Sequence, residues 1–231
     1  MADRIRLGFI GANVRATWAA QSHFPALLAS PDVELTAVCT TRRETAEAAR
    51  EAFGIDALRF VVGNFTRVSA MLTTQAKQWY ETDTRKMVDV TAPDNILVSG
   101  KLASGAVASV HVAAVPWAGG GLRMVIYGRE GTLMATGNVS SQRGEMLRVR
   151  GARRSHELSD MPIPDRFVWL PPEFPRGDPF NVGQMYRLFA EAIRTGQTQS
   201  RLPTFDTAVD LHRFLDTIRR SSDEGPELPV A

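Results

Sequence analysis

A chain of 231 residues is long enough for one or two domains, and 44% hydrophobic with 23% charged residues is ordinary for a soluble globular protein. The formal charge of +2 argues for neither a nucleic-acid nor a membrane partner. Only three of the 27 basic residues are lysine (Lys77, Lys86 and Lys101), an arginine bias read as base composition of the gene rather than as a phosphate-binding surface. The one cysteine, Cys39, excludes an internal disulfide. No segment approaches the ~20 apolar residues of a membrane span, and the start has no secretion-signal pattern, so a cytoplasmic protein is expected.

Arg4 to Ile10 reads as a short buried strand. Gly11-Ala12-Asn13-Val14-Arg15-Ala16 then opens a helix expected to run to about Ser30, and Pro31-Asp32 makes a turn. Glu34 to Thr40 is a second β-rich run. Thr41 with Glu44 forms a capping box for a helix through Phe53. Strand–helix–strand with short turns implies a parallel pair.

Gly11 to Ala16 is a degraded dinucleotide fingerprint. The first glycine is present, Asn13 stands at the second position, and Ala16 fills the third, where alanine is accepted. Asparagine tolerates positive φ better than most residues, so the backbone there can still approach a pyrophosphate. The helix start beyond supplies free N–H groups. At the end of the second strand an acid would hold the ribose of NAD. Here stand Thr40, Thr41, Arg42 and Arg43, which favours the 2′-phosphate of NADP over NAD. The expected cofactor contacts are Gly11, Ala12, Asn13, Val14, Thr40, Thr41 and Arg42, with the alternative of a tight βα turn that holds no ligand.

Near Gly54-Ile55 the pattern breaks, and the later strands of a nucleotide fold do not follow. A short helix is expected over Ile55 to Val62, ended by Gly63-Asn64. Phe65 to Ala76 is β-rich. Ile96–Leu102 and Ala106–Val115 flank a turn at Ser104-Gly105, and Leu122–Tyr127 and Thr132–Thr136 flank a second turn. Met146 to Arg150 reads as an edge strand and Met161 to Pro179 as a long surface loop. Helices are expected over Phe180–Thr195 and Thr204–Ser221, the latter burying Phe205, Val209, Leu211, Leu215 and Ile218. The fold class is thus α/β plus α+β. A truncated Rossmann βαβα unit (1–54) precedes a largely antiparallel open-sheet domain with helices on one face (55–231).

Gly8 to Asn13, the segment His23-Phe24-Pro25-Ala26-Leu27, and Val33 to Val38 resemble the start of Gfo/Idh/MocA oxidoreductases. Ile126 to Leu133 and Phe205 to Gly225 resemble that family's C-terminal domain. Asn13 and Val115-Pro116-Trp117-Ala118-Gly119 are most similar to the branch containing the fungal galactose-regulon corepressor. The resemblance implies a nicotinamide cofactor, NADP or NAD, and hydride transfer on a sugar- or polyol-like small molecule. It also allows a non-catalytic, dinucleotide-binding regulatory protein or an inactive remnant. The family's catalytic lysine sits in an E-K-P-like turn, and none of the three lysines here has that context. Its Gly-His-x-Ile-Asp-like segment is matched only by Gly54-Ile55-Asp56, with no histidine. The chain therefore resembles the family with an internal stretch missing, and no catalytic residue is assigned.

Other candidates carry less. His23 is expected to pack or cap, and His111 to point opposite Val110 and Val112. His156 and His212 are expected at the surface. Trp79-Tyr80 and Trp117 are expected in loops that line a pocket or a dimer contact. The four histidines and one cysteine give no metal-ligand spacing. An open sheet face predicts a homodimer.

Overall fold

The computed structural model describes residues 4–10, 19–39, 58–81, 85–113, 121–137, 147–154, 156–197, 202–225 and 227–230. The fold is mixed α/β, with one parallel strand pair and otherwise antiparallel sheets among the described residues. Two compact units emerge, one of 1–43 with 119–202 and the other of 44–118 with 203–231. The boundary expected at 54/55 falls among residues outside the description.

In the first unit β1 (Ile5–Ile10) pairs in parallel with β2 (Val33–Cys39). The helix between them is not one continuous α-helix in its described part. A π turn over Ala19–His23 leads into α1 (Phe24–Ala29). Pro25 has no N–H to give to a carbonyl four residues back, and a wider turn precedes it. Ser30 closes the turn into β2: its Oγ accepts from the N–H groups of Asp32 (3.2 Å) and Val33 (3.4 Å).

The helix over Asp178–Thr195 (α3) covers this β–α–β piece. Ala26, Leu27 and Val33 share a buried cluster with Phe180, Val182, Tyr186 and Ala190. A periodic apolar stripe tells that a helix buries one side, not which partner receives it. α3 starts at Asp178, two residues before the expected Phe180, with a proline in its first turn. The segment 161–179 is likewise more than a surface loop: Leu170 and Phe174 are buried in the same cluster. Gly183 makes this fit possible, since a Cβ there would come within 2.7 Å of the Phe174 ring and 2.8 Å of Leu170.

The first unit also holds a four-stranded antiparallel sheet, in the order β11 (Ser159–Asp160), β10 (Arg148–Arg153), β9 (Gly131–Gly137), β8 (Leu122–Tyr127). β10 is not the expected edge, because β11 pairs with its outer side through Arg150↔Asp160 and Gly151↔Ser159. Two residues are too few to leave a strand signature in sequence.

The second unit is built on the sheet order β12 (Leu228–Pro229), β3 (Phe65–Thr73), β6 (Asn95–Leu102), β7 (Val107–Ala113). The described part of the preceding helix, α2, covers 58–62. Gly105, at φ 88°, turns β6 into β7, with Leu102 N–H bonded to Ala106 O at 2.8 Å. α4 (Phe205–Glu224) lies on one face of the sheet. Thr204 and Thr207 cap it reciprocally, and Gly225 ends it in the left-handed region.

The buried side of α4 includes the expected Ile218, with Leu215 packed beside it, but departs from expectation at Phe205 and Val209. Phe214, Ile218 and Ser221 are buried, whereas Phe205 is 93% and Val209 50% exposed. At 3.6 residues per turn, Phe205 lies about 180° round the helix from Phe214, and Val209 about 140°. A hairpin of β4 (Gln78–Glu81) and β5 (Lys86–Asp89) stands apart as its own two-stranded sheet. Trp79 and Tyr80 belong to β4, not to a loop, and both are exposed. Trp117 lies outside the described residues.

α4 also closes a sheet edge. β12 pairs only with Arg67 and Val68 of β3. Beyond them, Ser221 Oγ accepts from Ala70 N–H (3.1 Å) and Ser222 Oγ from Leu72 N–H (2.9 Å). Ser221→Ala is expected to cost about 1–2 kcal/mol, the price of a buried N–H left without its partner, read as a lower urea midpoint with unchanged slope. Thr217→Ala, at an exposed hydroxyl bonded within the helix, should be nearly silent.

Candidate nucleotide-binding site

The parallel pairing runs from Ile5↔Val33 to Ile10↔Cys39, with one register shift between Leu7 and Gly8. The chain leaves β1 after Ile10 and β2 after Cys39. Ile10 and Cys39, the last residues of the two strands, are therefore neighbours at the same end of the pair. Ligands of open α/β sheets bind outside such carboxyl ends. Gly11, Ala12, Asn13, Val14, Thr40, Thr41 and Arg42 themselves lie outside the described residues.

Behind these strand ends the side chains are packed rather than open. The Phe9 ring meets His23 edge-on at 5.2 Å and Phe24 at 5.6 Å. His23 Nδ1 is 2.9 Å from the Tyr186 hydroxyl of α3. Burial lowers the pKa of His23 and pushes that of Tyr186 up to about 12, so both are neutral near pH 7. A neutral imidazole wedged between β1 and α3 is a packing group.

Asp32 and its partners form the strongest electrostatic feature of this unit. Its carboxylate, 4% exposed, accepts from Arg187 Nη1 at 2.8 and 2.9 Å and from Arg194 Nη1 at 2.6 Å. Burial alone would raise its pKa. The hydrogen bonds and charges of Arg194 and Arg187 outweigh that and hold the carboxyl below its ordinary value. Arg187 and Arg194 are seven residues apart on one face of α3, so this carboxylate fixes the helix against the β–α–β piece. Their i, i+7 spacing is visible in the sequence; their common partner, 155 and 162 residues away, is not.

The remaining candidates have their own local settings. His111 is on the exposed face of β7, its Nε2 3.2 Å from Asn95 Oδ1, and His156 and His212 are exposed. Lys86 is in β5 and Lys101 in β6, while Lys77 directly precedes β4. An open groove of about 310 Å³ is lined by Leu147, Arg148, Asp160, Met161 and Ile163. Its two charged groups are bonded to each other (Arg148 Nε to Asp160 Oδ1, 2.6 Å) and do not point at a ligand. Among the described residues no three His, Cys, Asp or Glu side chains gather as a metal site, and no helix is long and apolar enough to cross a membrane.

Residues 52–134 match the GFO/IDH/MocA C-terminal domain. Among solved structures the fold is similar to a super-repressor mutant of Gal80p from Saccharomyces cerevisiae (TM-score 0.62, 18% identity, 78% of this chain, 48% of that one). It is also similar to an oxidoreductase domain protein from Kribbella flavida (0.61, 17%, 78% and 48%). Levoglucosan dehydrogenase in complex with NADH and levoglucosan matches at 0.63 and 19%, over 98% of this chain and 59% of that one. The chain thus spans about half the length of the structures it resembles. No curated protein matches it in sequence. The resemblance to the Gfo/Idh/MocA oxidoreductases stands, for the C-terminal domain by sequence and for most of the chain by fold.

Proposed function

We propose that the chain binds a nicotinamide dinucleotide at the carboxyl ends of β1 and β2, NADP in preference to NAD, as an oxidoreductase-type protein for a sugar- or polyol-like substrate. The observation that supports this reading is the Ile10↔Cys39 pairing, which brings the carboxyl ends of the two strands together. Backbone N–H groups after Gly11, with Asn13 at the closest approach, would receive the pyrophosphate. Thr40, Thr41 and Arg42 would take the ribose and its phosphate. The solved relatives support the cofactor class: levoglucosan dehydrogenase is a complex with NADH. The bound nicotinamide would supply the hydride chemistry, and this chain's residues would orient it.

A second reading keeps the binding and drops the turnover. It is favoured by the sequence context of the three lysines, none of which stands in the E-K-P-like turn, and by the likeness to Gal80p, a transcriptional regulator. The two part in one assay: NADPH consumption and NADP reduction over a panel of sugars and polyols. Turnover supports the oxidoreductase, and saturable binding without turnover supports the regulator. Arg42→Ala is expected to lower the NADPH-to-NADH affinity ratio about tenfold or more, the worth of a charge-assisted hydrogen bond of ~1.5 kcal/mol. An unchanged ratio would remove the 2′-phosphate assignment.

The partner proposed on the open side of the β12–β3–β6–β7 sheet is a second copy. α4 packs on one face, while Met71 and Leu97, paired across β3 and β6, remain 59% and 42% exposed on the other.

A further inference from the structure

Between β3 and β6 the chain makes an excursion, 74–94, that carries the β4–β5 ribbon. The β3–β6 pairing ends at Thr73↔Asn95, where Asp94 N–H also bonds Thr73 O at 3.0 Å. The ribbon's own pairing runs from Val90 N–H on Lys77 O (2.9 Å) through Gln78↔Asp89 to Glu81↔Lys86. Within the ribbon little apolar surface is buried. Its apolar residues oppose each other as Trp79↔Val88 and Tyr80↔Met87. Neighbouring residues of a strand point to opposite faces, so one pair lies on each side and neither side collects both. All four stay exposed, from 39% at Val88 to 59% at Tyr80. A two-stranded hairpin of this kind is marginal by itself in water.

What ties the ribbon to its sheet is its base, and the base is built round one side chain. Asp94, 5% exposed, lies on the returning leg. Its Oδ1 and Oδ2 both accept from Gln75 N–H of the outgoing leg (2.8 Å each), and Oδ2 also accepts from Ala76 N–H (2.7 Å). Asn95 Nδ2 donates to Oδ1 at 3.0 Å. Thr74 Oγ1 adds a bond across the legs to Ala92 O (3.1 Å). The hydrogen bond from Gln75 N–H, with those from Ala76 and Asn95, outweighs desolvation and holds the carboxyl below its ordinary value, so it is ionised near pH 7. An ionised acceptor makes the stronger hydrogen bonds. Here they take two N–H groups that lie between the β3–β6 ladder and the β4–β5 ladder.

We propose that the β4–β5 ribbon is an arm that opens as a unit separate from the sheet it leaves, with the Asp94 carboxylate as the latch between its two legs. The test is amide hydrogen exchange followed by NMR in the full chain. Val90 N–H on Lys77 O sets the phase of the arm's ladder, so the bonded Trp79 and Val88 amides report on the arm. Leu102 N–H on Ala106 O sets the phase of β6 and β7, so Val98 and Val110 report on the sheet. In the parent the arm amides are expected to exchange faster than the sheet amides and with a weaker dependence on urea, because less surface opens. Asp94→Ala is expected to speed exchange of Trp79 and Val88 about tenfold or more, the worth of hydrogen bonds to a charged group, while Val98 and Val110 stay protected. Asp94→Asn, which keeps one acceptor oxygen of the two, is expected to fall between. Gln78→Ala removes the exposed bond from Gln78 Nε2 to Asp89 Oδ1 (2.9 Å) within the ribbon, and is expected to change the arm amides by less than about threefold. Equal exchange and equal urea dependence of arm and sheet in the parent would mean that they open together, and overturns the proposal. Unchanged arm amides in Asp94→Ala would mean that the ribbon is held from elsewhere, and a Gln78→Ala effect as large as that of Asp94→Ala would mean that it holds itself; either result also overturns it. Should Asp94→Ala not fold, Asp94→Asn against the parent decides on the same amides.

Discussion

Phe214→Ala is expected to lower the stability of the second unit by about 3–5 kcal/mol, the cost of emptying a buried aromatic site. Phe214 is 1% exposed and its ring is stacked on Phe65 at 5.3 Å and 22°. The Arg59 guanidinium also sits over the ring, 4.8 Å from its centre, and Arg59 is itself bound to Asp210. No small shift of α4 refills that space, because Ser221 and Ser222 tie the helix to β3 further along. The matched control is Phe205→Ala, expected within about 0.5 kcal/mol of the parent because its side chain is already in water. Urea melts followed by far-ultraviolet circular dichroism read both. Equal losses at the two positions would mean that the helix presents the stripe read from sequence, with Phe205 inward.

Asp32→Asn is expected to cost about 2 kcal/mol. Breaking a fully buried pair costs ~3–5 kcal/mol, but Arg187 and Arg194 keep 45% and 29% of their side chains in solvent and rehydrate in part. The loss depends on pH. The carboxyl titrates lower in the folded chain than in the unfolded one, so its contribution is complete above the unfolded value of ~3.9 and disappears as pH falls through the folded value. His23 works in the same direction at higher pH. Its folded pKa is lowered by burial, so the neutral ring stabilises fully above ~6.5 and loses this as pH falls toward the folded value. The α3 junction should therefore weaken in two stages on acidification. Thermal melts of the parent and Asp32→Asn should differ at pH 7 and converge at the acid end. A gap that stays constant through the carboxylate range would show that Asp32 does not titrate as a buried, paired acid.

Much of this was legible in the sequence, for local reasons. The β6–β7 and β8–β9 hairpins are set by runs of alternating residues around Gly105 and Gly128–Gly131, and they form where expected. The capping pair Thr204/Thr207 and the glycines at 196 and 225 bound the last two helices. What escaped was non-local. Nothing near α3 says that its apolar side belongs with Leu27 and Val33, or that Arg187 and Arg194 share an aspartate from the first turn of the chain. The stripe on α4 holds at Ile218 and Leu215 but fails at Phe205 and Val209, which are apolar yet sit on the far side of the helix from Phe214. The nucleotide fingerprint was read from the residues themselves. What the fold adds is the neighbouring strand ends from which its two halves depart.

The measurement that bears most directly on the central claim is a fluorescence titration of the full chain with NADPH and, separately, NADH. A saturable signal for both, tighter for NADPH, is the predicted result. No saturable signal with either dinucleotide would contradict the assignment of a nucleotide site to the ends of β1 and β2.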